Sequence, residues 1–312
     1  MLPFVMLVDI PFMSKTLITI VGPTGIGKTA LSIAFAKAYK THIVSCDSRQ
    51  FYKEMTIGTA VPTKEELKAA PHHFIQSKSI HVRFTVGDFE KEGISLLTEL
   101  FEQHDVVIMV GGSALYEKAI THGLDDFEPV PEKIKQSLTA SYEQQGLVWL
   151  QEELLRLDPA YYKTVDLNNA QRLLRAVSAI TASGNKFSEQ RTGTAKKRLF
   201  TLVKIGLEAP RDELYARINQ RVDDMVANGL LAEVKKLEPY KHLNALQTVG
   251  YSEFYNAQKR NLSQEESIAL VKQNTRRFAK RQLTWYRKDT SVTWFNFRTC
   301  HTVIVEQARK LL

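Results

Sequence analysis

Two stretches of the chain are apolar runs and a third reads as a short strand, and each breaks abruptly into glycine or polar residues. Leu17-Ile18-Thr19-Ile20-Val21 runs into Gly22-Pro23-Thr24-Gly25-Ile26-Gly27-Lys28-Thr29. Thr41-His42-Ile43-Val44-Ser45-Cys46-Asp47 runs into Ser48-Arg49-Gln50, and Asp105-Val106-Val107-Ile108-Met109-Val110 into Gly111-Gly112-Ser113-Ala114-Leu115-Tyr116. The last of these is a continuous apolar run of the type buried on both faces of a parallel sheet, and the other two read as strands beside it. Between them the period changes: Ala30-Leu31-Ser32-Ile33-Ala34-Phe35-Ala36 reads as a helix, residues 64–70 as a short one, and Ile94, Leu97 and Phe101 recur at helical spacing as a core stripe. A further strand falls at Phe200-Thr201-Leu202-Val203-Lys204-Ile205. The pattern predicts an α/β fold, with a parallel sheet flanked by helices.

The middle of the chain departs from this rhythm. Pro129-Val130-Pro131-Glu132 punctuates it, helical patterns follow near residues 134–138, 147–157 and 171–182, and Gly184-Asn185-Lys186 stops them. Residues 127–197 are therefore expected to form an all-helical insertion within a core made of residues 14–126 and 198–312. The last third is helical, with a long helix over residues 211–237 interrupted at Gly229. The first dozen residues are apolar but contain Pro3, Asp9 and Pro11 and no basic leader, so they fit neither a signal peptide nor a membrane span. Residues 1–13 are expected to be a dispensable extension.

Composition narrows the partners. With 312 residues, 44% of them hydrophobic and 24% charged, the chain can build a sizeable core, and nothing suggests disorder. Forty-two Lys and Arg against 34 Asp and Glu give a net charge of +8, which favours a polyanionic partner if the excess is gathered on one face. The excess is gathered in one place: no acidic residue lies between Ser267 and Lys288, whereas Lys272, Arg276, Arg277, Lys280, Arg281, Arg287 and Lys288 are basic. Phe278, Trp285 and Tyr286 interleave with them, and Trp285 is expected in the core. The two cysteines, Cys46 and Cys300, have no metal-ligand spacing, which suits free thiols in a reducing cytoplasm.

The chemistry begins at Gly22–Thr29. G-x-x-x-x-G-K-[ST] between a strand and a helix is a phosphate cradle: glycines admit the anion, Lys28 supplies charge, and the Thr29 hydroxyl can ligate Mg²⁺. Asp47, at the end of the second strand, should face the same crevice. It has three readings: a general base, a Mg²⁺ ligand, or the cap of a following helix. The third strand ends in Gly-Gly-Ser where many phosphate-loop proteins carry a metal-binding Asp. That favours a substrate passing close to the glycines with the Ser113 hydroxyl beside it, or else a plain turn. The pair His72-His73 has no third ligand in sight and is read as structural.

Six ordered blocks then carry a resemblance that spans about residues 17–287. They are the loop Gly22 to Thr29, Ser45-Cys46-Asp47-Ser48-Arg49-Gln50, Ile57-Gly58-Thr59-Ala60, Gly111 to Tyr116, Gln171-Arg172-Leu173-Leu174-Arg175-Ala176, and Arg281-Gln282-Leu283-Thr284-Trp285. Together they closely resemble bacterial tRNA dimethylallyltransferases. The resemblance implies a P-loop kinase-like fold with a helical insertion that grips the tRNA anticodon stem-loop. It also implies transfer of a dimethylallyl group from its diphosphate to the N6 amine of the adenosine 3′ of the anticodon, in tRNAs reading codons that begin with U.

By that resemblance Gly22, Pro23, Thr24, Gly25, Ile26, Gly27, Lys28 and Thr29 hold the diphosphate, and Thr29 holds Mg²⁺. Asp47, Arg217 and Ser113 are catalytic. Contact with tRNA falls to Asp47, Ser48, Arg49, Gln50, Ser113, Gln171, Arg172, Leu173, Leu174, Arg175, Gln247, Gly250, Tyr251, Lys280 and Arg281. Ser113 stands where the family more often has Thr, Ala114 where Gly is expected, and Gly25-Ile26 where Ala-Ser is common, so the pocket shape departs in detail. A monomeric, cytoplasmic protein without membrane contact is implied. The rival reading is a small-molecule kinase, which shares the loop but would carry an adenine-binding element.

Overall fold

The computed structural model describes residues 15–312, so the expected extension at residues 1–13 lies outside the described residues. Among those described, six strands form one sheet: β1 Thr16–Val21, β2 Ile43–Ser45, β3 His72–His73, β4 Val106–Val110, β5 Thr201–Glu208 and β6 Val292–Asn296. Their order is β3-β2-β4-β1-β5-β6, and every pairing is parallel. From β1 the chain moves first to one side, to β2, and later to the other, to β5. The carboxyl end of β1 is thus the point where the topology switches, and ligands of open α/β sheets bind in the crevice there.

The apolar runs fold as strands because both of their faces find cover. All six residues of β1 are buried. Ile18 and Ile20 pack with Leu31, Phe35, Ile205 and Ile304 on one side. Leu17 joins Phe51, Phe89, Leu97, Phe101, Val107 and Met109 on the other, the two-residue period of a strand. Leu97 and Phe101 are buried as their helical stripe requires, on the helix Val86–Gln103.

One buried cluster is charged. Lys204 on β5 and Glu117 are each 3% exposed and 3.1 Å apart, and Lys204 also reaches Asp289 at 2.7 Å. Burial raises the Glu117 carboxyl, with Lys204 opposing it. Burial acts upward on Asp289 as well, but hydrogen bonds from Lys204 and Ser291 outweigh it and hold that group at about 2.

The chain forms two compact units. One comprises the residues up to Thr121 together with Arg198–Leu312 and contains the sheet; the other is His122–Lys197. The second unit is helical. Its segment Glu132–Leu157 is broken at Gly146, whose φ of 80° and ψ of −170° end one helix and start the next. Its core gathers Leu150, Leu154, Leu173, Val177, Ile180 and Phe187. In the first unit the helical stretch expected over residues 211–237 is two helices, Arg211–Ala227 and Leu230–Leu237, with Gly229 left-handed between them. The helix Gln264–Tyr286 opens with a reciprocal cap between Ser263 and Glu266. No helix among the described residues is long and apolar enough to cross a membrane.

Candidate active site

The loop after β1 is shaped by contacts that leave no room for side chains. Gly22 has a φ of 135°, and a Cβ there would lie 2.6 Å from the Leu207 carbonyl oxygen on β5. Gly27, at φ 110°, sets the start of the helix Lys28–Tyr39, so that helix presents its N-terminus to a cavity of about 590 Å³. The loop residues Thr24 to Thr29 line this cavity with Asp47, Gly111, Gly112, Arg217, Arg221 and Gln282. The Ile26 side chain turns away into the core at 1% exposure, so only its backbone can serve an anion.

Lys28 is poised in the loop. Its ammonium donates to the carbonyls of Gly22 at 3.0 Å and Pro23 at 2.8 Å. Burial pulls its pKa down to about 8, against the pull of Asp47, while Arg221 adds to the lowering. An anion placed beside it would supply counter-charge to the ammonium. Arg217 donates from Nε to the Gly25 carbonyl at 2.9 Å, and Arg221 stands one turn further along the same helix. The loop end of the cavity thus sets Lys28, Arg217 and Arg221 around a helix N-terminus, the arrangement that holds a polyphosphate, while Asp47, Glu66 and Asp224 are also on the lining.

Asp47 faces it. Of its three readings, the helix cap is removed, because a turn rather than a helix follows. Its Oδ1 accepts the Arg49 N–H at 3.0 Å within that turn. A Cβ on Gly112 would come within 2.9 Å of Oδ2, so this oxygen lies against the Gly-Gly turn after β4. Ser113 accepts the Ser48 N–H at 3.0 Å and pairs with the Ser48 hydroxyl at 2.9 Å, which ties the two strand-end turns together.

Beyond Asp47 several expected RNA contacts are spent inside the protein. Gln50 donates to the carbonyls of Thr59 and Ala60, and Arg49 to those of Asn244 and Ala245. The Thr56–Gly58 backbone is held by Glu233, whose carboxylate accepts all three N–H groups between 2.9 and 3.0 Å. Tyr251, placed at RNA by its motif, is fully buried, donates to Glu233 at 2.6 Å and packs against Gly58. Burial beside Glu233 drives its hydroxyl pKa far up. Gly250 is buried too, its N–H bonded to Glu253, while Gln247 is exposed. Tyr251 and Gly250 are therefore corrected from RNA contacts to supports of the loop that lines the cavity.

The other expected contacts divide by helix face. On the helix Ala170–Ser183, Gln171, Arg172 and Arg175 are exposed and Leu174 is partly so, but Leu173 is fully buried in the core of its unit and cannot reach RNA with its side chain. On Gln264–Tyr286, Lys280 and Arg281 are exposed. Trp285, expected in the core, is 45% exposed beside them, a second correction, because the buried seam of this helix passes through Ala279, Gln282 and Tyr286. The basic run is not uniform either: Lys272 pairs with Asp223 at 2.6 Å, and Arg276 donates to Asn219.

The signals for Arg221, Gln282 and Glu233 were weak. Arg221 follows Arg217 at helical spacing and could have been found that way; the other two act through partners remote in sequence. Three histidines cluster at one side of the sheet. His42 Nδ1 and His73 Nε2 are 2.9 Å apart and the His104 ring lies alongside, yet no group of three or more His, Cys, Asp or Glu among the described residues could hold a metal.

Sheet, loop and cavity define a P-loop α/β protein whose cavity holds Lys28, Arg217 and Arg221 at the loop and Asp47 facing them. The particular family follows from comparison. Residues 50–289 match the family model described as IPP transferase. A tRNA dimethylallyltransferase of Christiangramia forsetii is 53% identical over 285 residues, covering 91% of this chain and 94% of that protein. One of Flavobacterium johnsoniae is 49% identical, over 93% and 96%. Among solved structures, the full-length tRNA isopentenylpyrophosphate transferase of Bacillus halodurans superposes with a TM-score of 0.68 at 36% identity, over 95% and 99% of the two chains. A eukaryotic dimethylallyltransferase acting on tRNA gives 0.80 at 25% identity, over 96% of this chain and 78% of its own. The chain belongs to the IPP transferase family.

Proposed function

We propose that this protein transfers a dimethylallyl group from dimethylallyl diphosphate to the exocyclic N6 amine of the adenosine 3′ of the anticodon, in tRNAs reading codons that begin with U, and releases diphosphate. The observation that carries the proposal is Asp47 in the same cavity as the phosphate loop and the Gly111-Gly112 turn. A carboxylate there is useful when a neutral nucleophile must lose a proton as the diphosphate departs. The relatives' names agree, and they set the small-molecule kinase aside.

Each group has a task. The N–H groups of Gly25, Gly27 and Lys28, the Lys28 ammonium and the guanidinium groups of Arg217 and Arg221 hold the diphosphate. Negative charge builds there as the C–O bond to the allylic carbon breaks, so fixed cations lower the barrier most at that atom. The adenine amine forms the new C–N bond and passes its proton to Asp47. An aromatic amine is a poor nucleophile, so its alignment by the Gly111-Gly112 turn and the Ser48–Ser113 pair counts as much as the base. Thr29, which lines the cavity, is the side chain that would hold Mg²⁺; with no dedicated cluster of carboxylates, the ion would take most of its ligands from the diphosphate and water, as Mg²⁺ commonly does. When bound it would add charge neutralisation at the leaving group.

The exposed Gln171, Arg172 and Arg175 belong in this reading to a helical unit that binds the anticodon stem-loop, with Lys280, Arg281 and Trp285 as a second contact. The protein acts as a cytoplasmic monomer.

The test is incubation of the protein with Mg²⁺, an unmodified tRNA reading U-initial codons and dimethylallyl diphosphate, followed by mass spectrometry of the digested tRNA. A gain of one prenyl unit on the adenosine beside the anticodon is expected; no gain, or phosphoryl transfer from ATP, would refute the proposal. A pH dependence accompanies it. Lys28 loses its proton near pH 8 in the free protein, so affinity for dimethylallyl diphosphate should be full below that pH and fall above it, by at most about tenfold per pH unit. The KM for dimethylallyl diphosphate measured across that range checks this; a flat profile would remove Lys28 from diphosphate binding.

A further inference from the structure

Gln282 is almost wholly buried, at 3% exposure, on a helix otherwise notable for exposed cations. A buried carboxamide needs partners on both of its ends, and this one finds them in two different turns of the cavity. Its Oε1 accepts the backbone N–H of Thr24 in the phosphate loop at 2.8 Å, across 258 residues of sequence. Its Nε2 donates to the carbonyl of Gly112, after β4, at 2.6 Å. The two partners are a donor and an acceptor, so the amide can sit only one way round.

The geometry at Gly112 extends the link to Asp47. A Cβ at this position would lie 2.9 Å from Asp47 Oδ2 and 3.0 Å from Gln282 Nε2, so the glycine is the contact between carboxylate and carboxamide. The Thr24 N–H, engaged by Gln282, is withdrawn from phosphate binding. Its role is to fix where the loop stands relative to the Gly111-Gly112 turn.

We infer that Gln282 is a positioning residue that holds the diphosphate loop and the turn carrying the acceptor base at a set distance from each other and from Asp47. This deepens the proposed transferase reading and rests on it. Transfer requires the allylic carbon and the amine nitrogen to meet in line, and a shift of about 1 Å in such an alignment costs about 10²-fold in rate. One side chain, Gln282, thus joins the phosphate loop to the Gly112 carbonyl.

Two variants test it. Gln282→Met keeps length and volume but neither hydrogen bond. Its single-turnover rate at saturating substrates should fall by about 10- to 100-fold, with tRNA affinity within about 2-fold of the parent. Gln282→Glu resembles the parent only when protonated, since only then can it donate to Gly112 while accepting from Thr24. Its rate relative to the parent should therefore climb as pH is lowered from about 8 to about 6, a response that lost packing would not produce. A Gln282→Met variant of parental rate, a proportional loss of rate and tRNA affinity, or a Gln282→Glu ratio that stays flat with pH would overturn the inference. If Gln282→Met does not fold, the pH response of Gln282→Glu decides alone. The parent protein is run alongside: its failure to prenylate tRNA counts against the proposed function, whereas a working parent beside an equally fast Gln282→Met variant counts against the positioning role only.

Discussion

Replacing Asp47 by Ala is expected to lower the single-turnover rate of prenyl transfer by about 10²- to 10⁴-fold, the range that a positioned general base contributes. The prediction is specific because Asp47 has so few other duties. Its Oδ1 holds the Arg49 N–H within a local turn, its Oδ2 lies over Gly112, and beyond these its charge acts on the neighbouring cations Lys28 and Arg221 of the same cavity. Affinity for tRNA should stay within about 2-fold, since the exposed cations Arg172, Arg175, Lys280 and Arg281 lie on other elements. Rapid quench at saturating substrates measures the first quantity, and filter binding at fixed salt the second. Arg175→Ala should show the reverse pattern, weak binding with a near-normal rate once saturated. Equal losses in both quantities for both variants would dissolve the division between a catalytic cavity and an RNA-gripping surface.

The second large effect concerns stability. Lys204→Met should cost about 3–5 kcal/mol, the range for removing one partner of a buried ion pair. Lys204 and Glu117 are each 3% exposed, and Glu117 would be left charged among Cys46 and Tyr286 without compensation. The sign of the pH dependence follows. A carboxyl whose folded pKa is raised is neutral at low pH, so the variant's deficit should shrink as pH falls and grow as pH rises through that raised value. Urea unfolding at several pH values measures this. The paired replacement Lys204→Met with Glu117→Leu should recover part of the loss, because it removes the buried Glu117 charge along with its partner while Asp289 still loses Lys204. A single variant as stable as the parent would mean that the pair is not a structural cluster.

What could be read from the chain, and what could not, divides along the range of the interactions. The phosphate loop is legible because its chemistry is local: eight consecutive residues between a buried strand and a helix settle the backbone. The core strands and the Leu97–Phe101 stripe are legible for the same reason, as each declares its period. Asp47 could be located but not assigned, since a strand end offers a carboxylate to a base, a metal or a cap alike; only the turn at Arg49 removed one choice.

Motif blocks misled where they were read as contiguous surfaces. The stretch Gln171 to Arg175 is on one helix, and the 3.6-residue period buries Leu173 while it exposes Arg172 and Arg175. Tyr251 went astray because its partner Glu233 and the glycine it packs on, Gly58, are far off in sequence. The residue type of Trp285 points to the core, yet the seam of its helix is set by Ala279, Gln282 and Tyr286. Gln282 itself gave no local sign of its role, because both of its hydrogen bonds are made by turns brought to it through β1 and β4. The expectation of residues 1–13 as an extension stands outside what the structure describes.

All of this turns on which molecule the cavity between the phosphate loop and Asp47 selects. Equilibrium binding of labelled dimethylallyl diphosphate in the presence of Mg²⁺, with ATP and inorganic diphosphate as competitors, measures it directly. The account predicts one prenyl diphosphate per chain, displaced by inorganic diphosphate and largely indifferent to ATP. Tight ATP binding with no detectable uptake of the prenyl diphosphate would contradict it.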